Sequence, residues 1–178
     1  MADPFLLEAA GFTGRICLGL VFITAALGKL KHGRLFEGVI ANYRILPRKA
    51  AGPAAMLLPW AELALGAALL VQAPGPAPAA LGIALLLLFA WAMGLNLKRG
   101  RSNIDCGCNR QALRQTLKWS LVVRNLVLAA LLVPALAAPP GIDLPLAAAG
   151  VLAGAVAFLL YLLFNALAAL PGLGRSAA

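Results

Sequence analysis

Five stretches of this chain are apolar for about 20 residues or more, the length that carries an α-helix across a bilayer core about 30 Å thick. They run over residues 5–30, 51–73, 79–97, 117–138 and 144–170. Lipid offers no partner to an unpaired backbone N–H or C=O, so only helices and closed barrels can span it. The short alternating strands of a membrane barrel are absent from the sequence. Hydrophobic residues make up 62% of the chain and charged ones only 12%, against about 25% charged in an ordinary soluble domain. An all-α integral membrane protein is therefore expected. Residues 1–138 should form a four-helix transmembrane core, and 139–178 should add a fifth C-terminal transmembrane helix with a short tail. The first span does not read as a cleavable signal, because no Lys or Arg precedes it and Arg15 lies inside it.

The formal charge of +9 would suit a nucleic-acid binder, but its distribution does not. Of 15 Lys and Arg residues, 12 fall in two places: Lys29, Lys31, Arg34, Arg44, Arg48 and Lys49 after the first span, and Lys98, Arg99, Arg101, Arg110, Arg114 and Lys118 after the third. Basic residues so placed set topology and meet anionic headgroups, and no aromatic-interleaved basic module accompanies them. The turns at 73–78 and 139–143 hold none. The positive-inside rule then makes both basic loops and the C-terminus cytoplasmic and puts the N-terminus outside. Within the first basic loop, Leu35, Phe36, Val39, Ile40 and Tyr43 recur at helical spacing, which predicts an amphipathic interfacial helix over 35–46, ended by Pro47 and Pro53.

The most specific local feature is Asp105-Cys106-Gly107-Cys108 in the second basic loop. Two cysteines around one glycine can close a small strained disulfide, and strained disulfides are readily reduced. Arg101 and Arg110 would favour a thiolate there, and Asp105 opposes them. Two other readings stand beside thiol–disulfide exchange. The pair also reads as unpaired loop thiols, or as half of a soft-metal site that only His32 or a second chain would complete. Cys17 lies about 18 Å from the basic end of its helix at 1.5 Å per residue, out of reach of that loop, and reads as a small buried hydrophobe.

Charges inside the spans form the second informative set. Arg15, Glu62 and Arg124 sit on spans one, two and four, where an ionised group is costly. Straight helices place them about 22, 16 and 10 Å from the basic side, so Glu62 is expected to bridge both guanidiniums. Lys29 follows Arg15 by 14 residues, on the same helix face. With Tyr43, Asn96 and Asn125 at its basic mouth, this set predicts either a polar pocket that takes a quinone headgroup or tunes a proton path, or a buried ion pair that fixes helix register. The fifth span, whose strongly polar group is Asn165, is the least expected to line a site. Its Gly150 and Gly154 allow close helix contact, within the bundle in preference to between copies.

The run GKLKHGRLFEGVIANYRILP, then LPWAELALGAALL, then DCGC with WSLVVRN downstream, resembles the MauE family of the larger MauE/DoxX group over residues 11–135. The resemblance implies a bacterial inner-membrane protein that assists maturation of the disulfide-rich small subunit of methylamine dehydrogenase beside a thioredoxin-like partner, MauD. Cys106 and Cys108 would be its exchanging pair, and the group's links to quinone chemistry suit a charged pocket. The alternatives are a non-catalytic assembly or scaffold subunit and a soft-metal ferry. The matured enzyme is periplasmic, whereas the charge count puts the Cys-Gly-Cys loop in the cytoplasm. Either the loop folds back into the bundle, electrons enter from the cytoplasm, or the orientation rule fails here.

Overall fold

A computed structural model of the protein describes residues 4–101, 104, 117–137 and 144–168. Among these residues the regular structure is entirely helical: α1 (Pro4–Lys31), α2 (Gly33–Tyr43), α3 (Arg48–Leu70), α4 (Ala77–Lys98), α5 (Trp119–Leu132) continued by a 3-10 turn (Val133–Leu136), and α6 (Leu144–Ala168). Five of them, with α5 and its 3-10 turn taken together, are long and apolar enough to cross a membrane. The expected all-α architecture and its five spans are those observed.

Local chemistry sets the boundaries and corrects three of them. The interfacial helix occupies 33–43, not 35–46, because Arg44 enters the left-handed region at φ 48° and Pro47 holds φ −57°, ψ 145° before α3. The residue before a proline is pushed out of helical space, so α2 cannot run on to Leu46. Conversely, α3 starts at Arg48 and keeps Pro53 and Pro59 inside it. Helices in lipid tolerate proline where neighbours re-satisfy the freed carbonyl. The fourth span tightens into a 3-10 turn at Val133, since Pro134 has no N–H to extend the α-helical ladder.

The bundle is organised around α1, which packs against α3, α5, α6 and the 3-10 turn. Its approach to α3 is backbone to backbone: a Cβ on Gly66 would lie 2.9 Å from the Gly19 carbonyl oxygen. Small residues at such crossings let helices gain van der Waals contact that larger ones would block. On its other side α1 seats Phe12 and Ile16 against Gly150 and Gly154 of α6, so the glycine spacing serves contact inside the bundle. The main core gathers Leu18, Val21 and Phe22 of α1 with Leu69, Leu86, Leu128 and Leu132. A second cluster at the basic end joins Met93, Leu117 and Leu121 to Tyr43 and Ile104, so the two basic loops share one end of the bundle.

Trp60, Trp91 and Trp119 are 56%, 55% and 54% exposed, which places them on the lipid-facing surface and outside the core.

The α1–α3 crossing gives a direct test. Gly66→Val should lower stability by about 1–3 kcal/mol through overpacking, read as a fall in Tm in detergent. Gly28→Ala, where an added Cβ meets nothing within 4 Å, should leave Tm unchanged or slightly raised.

Candidate functional site

Lys29 and Glu62 form a buried ion pair between α1 and α3, at 5% and 1% exposure. Lys29 is only two residues from the end of its helix, yet its ammonium is buried. Side chains on an α-helix lean toward its N-terminus, which here points into the bundle. The Nζ atom lies 5.3 Å from the ring centre of Phe36 and 5.0 Å from that of Phe89. Ring faces are electron-rich, so α2 and α4 add cation–π attraction to the carboxylate's charge.

A second polar group sits beside the first. Arg124 of α5 donates from Nη1 to Asn165 Oδ1 of α6 and packs 5.7 Å from the ring centre of Tyr161. The amide of Asn165 in turn donates to the Tyr161 carbonyl at 2.7 Å. Lys29, Glu62, Arg124, Asn125 and Tyr161 together border an inner cavity of about 20 Å³, room for one water molecule. The buried Nδ2 of Asn125 has no hydrogen-bond partner among the described residues. A water there would satisfy it.

On the other side of Lys29 lies a larger space. A groove of about 430 Å³ runs between α2, α3 and α4, walled mainly by carbon, with Phe36, Tyr43, Leu57, Phe89 and Trp91 among its lining residues. Lys29 and Tyr43 are the ionisable side chains on its wall. Lys29 and Phe89 border both the groove and the inner cavity.

The structure thus brings Lys29, Glu62, Arg124 and Asn125 together and puts Tyr43 on the groove. Arg15 is elsewhere. Its guanidinium donates to the carbonyls of Ala73 at 3.0 Å, Gly75 at 3.3 Å and Ala135 at 3.1 Å. The expected bridge from Glu62 to two guanidiniums is therefore not formed. The reason is one of level: α1 and α3 run antiparallel and touch at Gly19 and Gly66, so one turn back from Gly19 corresponds to the end of α3 at Leu70. There Arg15 finds carbonyls at helix ends, and a cation is favoured at such ends. Asn96, expected at the mouth, donates to Ala92 O at 3.0 Å and accepts from Arg101 at 3.5 Å. Cys17 is 1% exposed in the apolar core, as a small hydrophobe would be. Cys106 and Cys108, with Arg110, Arg114 and the tail beyond Ala168, lie outside the described residues.

Four contributors are absent from the expected set: Phe36, Phe89, Tyr161 and Asn165. The last corrects the expectation that α6 is least suited to a site. Its signal was present as a lone amide in the most apolar span, a group that lipid does not tolerate without a partner.

The fold and the site define a multi-pass helical membrane protein whose buried charges lie between a one-water cavity and an apolar groove. A model of the family described as methylamine utilisation protein MauE matches residues 7–138, and the chain belongs to that family. Relatives named methylamine utilization protein MauE include one from Paracoccus denitrificans, 45% identical with 91% of this chain and 89% of the relative covered. One from Paracoccus versutus is 46% identical over 88% and 86%, and one from Methylorubrum extorquens is 44% identical over 65% and 62%. No solved structure matches the chain.

The Arg124–Asn165 contact ties α5 to α6 by a charge-assisted hydrogen bond. Asn165→Leu should cost about 1.5–3 kcal/mol, measured by thermal unfolding in detergent; a loss under about 0.5 kcal/mol would leave the contact without stabilising weight.

Proposed function

We propose that this protein is a thiol–disulfide redox protein of the bacterial inner membrane that assists maturation of a partner protein in methylamine utilisation. Cys106 and Cys108 are its exchanging pair, a thioredoxin-like protein is its thiol partner, and a quinone in the groove is its electron acceptor. The N-terminus faces outward, and the basic loops and C-terminus face the cytoplasm. The observation that carries the reading is an apolar groove in the lipid-facing part of the bundle whose wall holds a buried ammonium, Lys29. Its size and its aromatic lining from Phe36, Phe89, Tyr43 and Trp91 fit a substituted ring with an apolar tail. Ile104, two residues before Cys106 in the sequence, packs in the same cluster as Tyr43 of the groove wall.

The chemistry balances without a further reactant. Joining the two thiols as a disulfide releases two electrons and two protons, and a quinone takes up two of each. The residues of the chain have three tasks in this. The cysteines trade bonds with the partner's pair, the aromatic walls hold the ring, and the groove keeps water from it.

A second reading has its own support. Lys29–Glu62 joins α1 to α3 and Arg124–Asn165 joins α5 to α6, as suits a scaffold subunit whose charges fix register. Under it, Glu62→Gln lowers folded yield with no specific loss of turnover.

Purified protein with its cysteines reduced is expected to reduce a short-chain benzoquinone, one equivalent per dithiol, and to trap a thioredoxin-like partner as a mixed disulfide. Cys106→Ser or Cys108→Ser should abolish the quinone reaction, while Cys17→Ser leaves it intact. Normal partner maturation in cells carrying the Cys106/Cys108 double serine variant would overturn the redox reading.

A further inference from the structure

The groove poses a problem that the proposed function leaves unsolved. Reduction of a conjugated ring carbonyl requires protons at the ring oxygens, and a carbon wall supplies none. Among the groove's lining residues only Lys29 and Tyr43 carry a proton that can leave. Lys29 differs from Tyr43 in what stands behind it. It also borders the inner cavity of about 20 Å³, together with Glu62, Arg124 and Asn125. That cavity has room for one water, and the buried Nδ2 of Asn125 is ready to donate to it.

Resting on the quinone reading above, the geometry points to Lys29 as the proton donor to a ring oxygen held in the groove, with Glu62 as the positioning residue that fixes its ammonium. The Nζ atom gives its proton to the ring oxygen on the groove side. It regains one from the water of the inner cavity, which is recharged from the basic side, where the thiols release theirs. One such transfer protonates that oxygen, and the opposite ring oxygen takes the second of the two protons that accompany the dithiol's electrons from Tyr43, the other ionisable group on the groove wall, which is recharged from the basic side in its turn. Glu62 keeps the ammonium between Phe36 and Phe89, on the boundary of the two spaces. The pair thus has a role beyond register: it makes a protein wall permeable to protons and to nothing larger.

This assignment is tested by binding, without turnover. A charged donor in the groove should prefer a ring whose oxygen is already an anion. A 2-hydroxy-3-alkyl-1,4-naphthoquinone, ionised at neutral pH, is compared with its neutral 2-methoxy ether by titration calorimetry on the full chain in detergent. The wild-type protein should bind the anion about 10-fold or more tighter, the worth of one hydrogen bond to a charged group. Lys29→Met alone leaves a carboxylate buried beside a methionine and is at risk of misfolding. The double variant Lys29→Met/Glu62→Gln removes both charges together, a change that buried pairs often tolerate. In that variant the preference should vanish, with the methoxy ether still bound, and the rate of benzoquinone reduction should fall about 100-fold, as for loss of a general acid. A folded double variant that keeps the preference, or a wild type that binds both rings equally, overturns the assignment of Lys29 alone. A wild type that binds neither ring overturns the quinone reading and this inference with it.

Discussion

The contact between α1 and α3 at Gly19 and Gly66 sets the spacing on which the rest of the bundle depends. In lipid there is no hydrophobic force to push two apolar helices together, so their association rests on close packing and on polar contacts. Two glycines supply the first and Lys29–Glu62 the second. With the backbones in contact, a lysine near the end of one helix reaches a carboxylate on the other. The same register sets Arg15 level with the end of α3, where three carbonyls await it.

Each buried charge is neutralised in its own way. Arg15 uses helix-end carbonyls, Lys29 a carboxylate and two ring faces, and Arg124 an amide and a ring. Without such partners an ion at this depth costs several kcal/mol. The three arrangements also differ in consequence. Arg15 staples the ends of neighbouring elements, remote from both cavities. The Lys29 and Arg124 groups share a wall around space large enough for water.

Most of the fold was legible in the sequence, because lipid allows so few ways of crossing it. Length and hydropathy gave five helices, and the spacing of Phe36, Val39, Ile40 and Tyr43 gave α2, though Arg44 ends it early. The site was legible in composition and less so in pairing. Lys29, Glu62, Arg124 and Asn125 could be singled out as charged or polar groups in apolar surroundings. Which cation met Glu62 depended on the α1–α3 register and on the inward lean of the lysine stem, neither of which periodicity encodes. Asn165 is legible as a lone amide, but the mean hydropathy of its helix hides the one side chain that makes the contact. The groove was not legible, because it arises from the sparse contact between α3 and α4 under α2.

That sparse contact has a consequence for how anything enters. Leu57, Leu88 and Trp91 line the groove and are 67%, 51% and 55% exposed, on the surface the helices turn toward lipid. The opening is thus lateral, toward the acyl chains. A visitor arrives already dissolved in the bilayer, and its relevant concentration is moles per volume of membrane. Compounds too polar to dissolve there are screened out before any side chain is met.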